Sequence, residues 1–210
     1  MAKSVPFYTE GHSLVAQLSD FFMQNGSTCY ELGTSTGVLL RQLAERHAEK
    51  EDLNWVGIDV EAEMINQAKQ ESLALGQNIN FVCDDIFLFP YEKSDLIIAY
   101  YTVQFVPPYR RQELLSKIYE HLNWGGAFIM FEKVRANDAR FQDYMSALYL
   151  DYKLDQGYQP DEIIAKSRSL KRVLEPFSSE ANIELLKRAG FSDVMSVMKY
   201  ICFEGFLAIK

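Results

Sequence analysis

Residues 28–39, Thr-Cys-Tyr-Glu-Leu-Gly-Thr-Ser-Thr-Gly-Val-Leu, place an acid, two glycines and the hydroxyl run Thr34-Ser35-Thr36 where an apolar run gives way to helical spacing. Glycine lets a backbone approach a ligand closely, and a helix start presents unpaired N–H groups. Ser35 stands where a dinucleotide fingerprint would carry its middle glycine, so the pattern Gly33-x-x-x-Gly37 fits a pyrophosphate poorly. The next apolar run ends Gly-Ile-Asp-Val and sets Asp59 22 positions after Gly37. Its two carboxylate oxygens can accept from both hydroxyls of a ribose. A third run ends Cys-Asp-Asp-Ile, offering Asp84 or Asp85 to an adenine amino group.

A single aspartate at a strand end is ordinarily a turn residue. Three acidic or glycine landmarks closing three successive strands point instead to an adenosine ligand without a diphosphate. Glu31 makes that site acidic, which suits the sulfonium and amino group of S-adenosylmethionine.

The elements that must hold these residues alternate along the chain. Residues 11–26 have helical spacing through Leu14, Val15, Leu18, Phe21 and Phe22, and Gly26 reads as the C-cap. Strands follow over "TCYEL", "LNWVGIDV", "INFVCDD", "SDLIIAYYTVQFV" and "GGAFIMFEKV", with helices between them, one entered through Pro107 and Pro108. Near-continuous apolar strands imply a parallel sheet covered on both faces, a doubly wound α/β fold. Residues 137–172 read as two helices in succession, an insertion in one domain spanning 1–210. A helix with a serine N-cap and Gly190 at its end comes next. The last twenty residues read as two antiparallel edge strands broken around Glu204 and Gly205.

Composition narrows the function. The 210 residues carry a formal net charge of −8, which disfavours a broad nucleic-acid surface. The strongest basic run, "AKSRSLKR", reads as a solvated helix face. No apolar run is long enough to span a membrane, and "MAKSVPFYTEGHS" lacks the apolar core of a secretory signal, so a cytoplasmic location is expected. Cys29, Cys83 and Cys202 are scattered and read as small buried hydrophobes, with no metal or disulfide framework. His47 and His121 read as surface or helix-end residues.

These landmarks resemble the class I S-adenosylmethionine-dependent methyltransferases, whose Rossmann-like, seven-stranded, mostly parallel sheet ends in such an antiparallel strand pair. The likeness narrows further. "SVPFY", "YELGTSTG", "TVQFVPPYRRQELLSKIYEHLNWGGAFIMFEK" and "LDYKLDQGYQPDEIIAKSRSLKRVLEPFSSEANIELLKRAGF" resemble successive blocks of the carboxy-S-adenosylmethionine synthase family, which also carried the label of tRNA wobble-uridine methyltransferase. The resemblance implies that Tyr8 covers the ligand and that Gly33, Thr34 and Ser35 form its glycine turn. It assigns Asp59 and Val60 to the ribose, Asp85 and Ile86 to the adenine, and Arg168 to the extra carboxylate of carboxy-S-adenosylmethionine. Guanidinium is well suited to that task. It also implies a homodimer.

Three departures accompany the likeness. Tyr100 stands for a ligand-contacting asparagine, the turn reads Gly-Thr-Ser for Gly-Cys-Ser, and only Met-Ala-Lys precedes the first block where the family has a helical leader. The primary expectation is a methyltransferase acting on a small molecule, with Tyr8, Tyr100, Tyr101 and Phe105 shaping the acceptor pocket. Tyr101 and Phe105 read more readily as buried strand residues. Carboxy-S-adenosylmethionine synthesis from prephenate and non-catalytic nucleotide binding are the alternatives. Transfer RNA as a substrate is disfavoured by the acidic balance.

Overall fold

β-branched and aromatic runs pair into one seven-stranded sheet in a computed structural model that describes residues 3–210. The strands are β1 (Thr28–Leu32), β2 (Asn54–Asp59), β3 (Asn80–Cys83), β4 (Ser94–Tyr100), β5 (Leu122–Lys133), β6 (Asp193–Tyr200) and β7 (Phe203–Ile209). Their order across the sheet is β3-β2-β1-β4-β5-β7-β6. The first five are parallel to their neighbours, while β7 is antiparallel to both β5 and β6. The direction of strand order reverses between β1 and β4, and in such sheets ligands bind beyond the carboxyl ends at that reversal.

Side-chain alternation divides the core into two layers. From β4, Leu96, Ile98 and Tyr100 enter one layer with Leu39, Leu40 and Leu43 of α2 (Val38–Arg46), and with residues of α1 (Tyr8–Ser19) and α3 (Ala62–Ala74). Ile97 and Ala99 enter the other, against Leu114, Leu115 and Ile118 of α4 (Pro108–His121) and Leu185 and Leu186 of α7 (Ser179–Ala189). The insertion between β5 and α7 consists of α5 (Ala139–Asp155) and α6 (Pro160–Ser169), and α5 buries no residue fully. As the spacing predicts, the Ser178 hydroxyl caps α7 by accepting from the Ala181 N–H at 3.1 Å, and Gly190 ends that helix at φ +121°.

Several local expectations are corrected. α1 stops at Ser19 rather than Gly26, because Met23 folds back into the core and leaves Phe21 outward. β4 ends at Tyr100, since Tyr101 takes a left-handed φ of +61° and the chain turns into a 3₁₀ turn over Val103–Phe105. That turn leaves Phe105 exposed rather than buried in a strand. The hairpin between β6 and β7 turns at Ile201 and Cys202, with Ile201 at φ +51°. Glu204 and Gly205 lie inside β7, where the ring of Phe131 packs against the glycine and would stand 2.6 Å from a Cβ there.

Two further readings fall to packing. His47 is buried, its Nε2 2.8 Å from the Ser19 hydroxyl and its ring stacked on Trp55 at 5.9 Å between centroids. Cys83 is exposed at the end of β3, unlike Cys29 and Cys202. Among the described residues no helix is long and apolar enough to cross a membrane, and no group of three His, Cys, Asp or Glu side chains could hold a metal.

Candidate active site

The turn after β1 is built from three left-handed residues in alternation: Gly33 at φ +68°, Ser35 at +52° and Gly37 at +71°. A non-glycine residue is strained in this region. Ser35 is held there because its N–H donates to Asp59 Oδ2 at 2.8 Å. Gly33 has no alternative, since a Cβ would stand 2.5 Å from the Thr102 hydroxyl oxygen, which itself donates to the Leu32 carbonyl at 2.8 Å. Gly37 begins α2 with Phe81 2.5 Å from where its Cβ would be. The N–H groups of Gly33 and Thr34 both donate to the Ile58 carbonyl, tying the turn to the end of β2.

Alternation along β1 puts Glu31 on the same face as Cys29, under α1 and α2, where it is 4% exposed. Burial pushes its carboxyl up to about 7, and the Asp59 charge adds to that. The Thr34 hydroxyl, donating to Oε2 at 2.5 Å, and the Leu40 amide pull the other way. A buried carboxyl of this kind gains greatly from a cation placed beside it. The Tyr8 hydroxyl feels this charge, held above the ordinary phenol range by burial and then by Glu31.

Asp59 is the hub. Oδ2 accepts from Ser35 and Oδ1 from the Glu61 N–H at 3.0 Å, so each oxygen keeps a lone pair for a ligand hydroxyl. Beside it Val60 is 62% exposed and Met64 38%, an apolar ledge next to an acceptor. The Asp84 N–H donates to the Asp59 carbonyl at 3.1 Å, which brings the β3 end alongside. Asp85 is turned partly inward, its Oδ1 accepting from the Phe87 N–H at 2.8 Å, and Ile86 packs on the α4 layer. An adenosine fits this series: acceptors for its hydroxyls, an open apolar ledge for its ring, and a buried acid for a cationic tail.

Glu31, Gly33, Thr34, Ser35, Gly37, Asp59, Val60, Asp85 and Ile86 therefore lie at or just beyond the ends of β1, β2 and β3, while Tyr8 opens α1. Tyr100 lies behind them, 7% exposed, with its hydroxyl donating to the Tyr8 carbonyl at 2.6 Å. Its ring meets Tyr8, His12, Tyr101 and Phe131. Arg168 stands apart: it is exposed on α6, and its side chain has no hydrogen bond or ion pair among the described residues. Sequence reasoning missed Thr102, which shapes the turn, and His12, buried beside Tyr8 with Nδ1 3.1 Å from Gln42 Oε1. Neither sits at a motif position, so only packing reveals them.

Comparison with known proteins agrees with this fold. The family description "Methyltransferase domain" matches residues 30–126, from the middle of β1 into the first residues of β5. The carboxy-S-adenosyl-L-methionine synthase of Campylobacter lari is 39% identical over 211 residues, which cover 100% of this chain and 88% of the relative. Those of Nautilia profundicola and Staphylococcus epidermidis are 37% and 34% identical, each over 99% of this chain and 88% and 90% of the relative. Among solved structures, the S-adenosylmethionine-dependent methyltransferase SibL superposes with a TM-score of 0.69 at 17% identity, over 97% of this chain and 55% of that longer one. Human N-acetylserotonin methyltransferase, solved with S-adenosylmethionine, gives 0.64 at 20% identity over 97% of this chain and 55% of its own. The two structures share the fold.

Proposed function

The chain belongs to the carboxy-S-adenosyl-L-methionine synthase family, and on that premise we propose that it is an S-adenosylmethionine-dependent transferase that makes carboxy-S-adenosylmethionine. The observation that carries the nucleotide part is the Asp59 hub. One carboxylate braces the left-handed turn and still offers two acceptor lone pairs beside the exposed Val60 ledge. Tyr8, Glu31, Gly33, Thr34, Ser35 and Gly37 would surround the methionine end, and Asp85 and Ile86 the adenine. When bound, the ligand supplies a methyl carbon activated by a sulfonium.

The chain's own contribution is alignment and exclusion of water, which is much of what moving a carboxyl group onto the ligand's methyl carbon needs. The carboxyl donor's C–C bond breaks, a new C–C bond forms at the methyl carbon, and that carbon gives up one proton. Glu31 would hold the ligand's ammonium. Tyr8 would close over it, fixed through its carbonyl by Tyr100. The likeness to synthases, insertion included, supports prephenate as the carboxyl source and Arg168 as the partner of the new carboxylate.

Methyl transfer to a small molecule is the second reading, favoured by one observation. The Tyr100 hydroxyl spends its one proton on the Tyr8 carbonyl, so it cannot donate to a ligand where the family likeness implies an asparagine. Mass spectrometry of nucleotide released on denaturing the purified protein separates the two. Carboxy-S-adenosylmethionine supports the synthase reading; S-adenosylmethionine or S-adenosylhomocysteine alone moves the assignment to methyl transfer. Arg168→Ala should abolish binding of the carboxylated ligand and spare S-adenosylmethionine. A second copy of the chain is the proposed partner, through the stripe of Phe141, Tyr144 and Leu148 on α5, all exposed at helical spacing. Light scattering that finds a monomer at micromolar concentration would refute it.

A further inference from the structure

Lys133 closes β5 at the carboxyl edge of the sheet, and Lys153 reaches the same corner from α5. Both ammonium groups lie over one ring: each Nζ is 4.4 Å from the centroid of Tyr149. Neither Nζ has a carboxylate within ion-pair reach or a hydrogen-bond partner among the described residues. The groups acting on them are Arg135 on Lys133 and Lys133 on Lys153, each disfavouring the ammonium, with Cys202 acting the other way on both. Burial lowers the pKa of both, and their mutual repulsion lowers that of Lys153 further. Both remain partly exposed, so solutes can reach them.

The corner is connected to the nucleotide site by a wall of rings. Tyr149 meets Phe203 edge-on at 5.2 Å, and Phe203 meets Tyr101 edge-on at 5.9 Å. Tyr101 in turn stacks on Tyr8 at 6.2 Å, whose hydroxyl feels the Glu31 charge. One end of this wall is a buried acid suited to a cation, and the other is a pair of lysines without an acid partner, suited to an anion.

We infer that Lys133 and Lys153 form the subsite that takes the anionic group, a carboxylate or a phosphate, of the second substrate. The inference rests on the transferase reading, because it assumes that the nucleotide lies over Glu31 and Asp59. A purely structural role, two stems packed on an aromatic ring, would leave the same contacts without any preference for anions.

Calorimetry with succinate and with inorganic phosphate as probes, on protein saturated with S-adenosylmethionine, tests it. One-to-one binding of either is expected, and the probe that binds distinguishes carboxylate from phosphate. Lys153→Gln should weaken that binding by roughly tenfold or more, as loss of a charged hydrogen-bond donor does. Lys153→Arg should largely restore it, with S-adenosylmethionine affinity and thermal midpoint unchanged in both variants. Binding of neither probe by the loaded wild type overturns the subsite, as does binding that Lys153→Gln leaves intact. Joint loss of anion and nucleotide affinity in Lys153→Gln also overturns it, by making the lysine structural. Failure of the wild type to bind S-adenosylmethionine refutes the underlying reading instead.

Discussion

The Tyr100 hydroxyl donates to the Tyr8 carbonyl at 2.6 Å and so joins the end of β4 to the first turn of α1. The contact has no slack, because Gly11 leaves only enough space for that hydroxyl. Tyr100→Phe keeps the ring against His12 and Phe131 and removes the bond alone. We expect a loss of about 0.5–1.5 kcal/mol in urea denaturation, together with faster amide exchange over residues 3–11. Unaltered exchange there would mean that packing, not the hydroxyl, holds the segment.

Asp59→Ala removes an acceptor for the ligand and the brace on Ser35 at once. S-adenosylmethionine should bind about 1.5–3 kcal/mol more weakly, measured by calorimetry. Unchanged affinity would displace the ribose from this strand end.

Glu31 sets a pH dependence whose sign follows from its direction of shift. Its folded-state value is raised to about 7 from an ordinary 4.5, so the folded chain holds a proton that the unfolded chain has released between those limits. The ligand-free protein therefore loses stability as pH rises through that window, by up to roughly 3 kcal/mol. Denaturant midpoints from pH 4.5 to 8 should fall less steeply in Glu31→Gln. Binding of the cationic ligand should release a proton near pH 6, visible as a buffer-dependent heat; equal heats in buffers of different ionisation enthalpy would contradict the assignment.

Gly33 and Thr102 form a testable pair. Gly33→Ala forces a side chain into left-handed backbone, costing about 1–2 kcal/mol, and drives its Cβ into Thr102. Thr102→Ala in the same chain removes the two closest atoms, so the double variant should be more stable than the single effects summed. Simple additivity would show that the turn relaxes away from Thr102.

The sheet's strands and the residues at their ends could be read in the sequence to the extent that each residue's task is local. Apolar runs alternate with helical spacing, and Glu31, Gly33 and Asp59 sit at the junctions, so strand ends and their acids could be placed. Tasks set by distant neighbours left no local mark. His47 carries nothing that announces its burial, because Ser19 and Trp55, which enclose it, are elsewhere in the chain. Gly205 looks like a turn residue and instead clears space for Phe131. Tyr101 ends β4 by reversing its φ, which an apolar run of "IIAYYTVQF" conceals. Arg168, matched through the family likeness, lies out on α6, and only a ligand or a second chain could bring it into use.

The 17-residue α5 buries none of its side chains fully, whereas the turn after β1 is fixed by clashes at Gly33 and Gly37 and by a hub at Asp59. The two halves of the molecule thus tolerate change unequally. Substitutions along the outer faces of α5 leave the sheet untouched, while almost any change in the turn meets Thr102, Phe81 or Asp59. A lineage could exchange one second substrate for another by rewriting the insertion, and keep its nucleotide throughout.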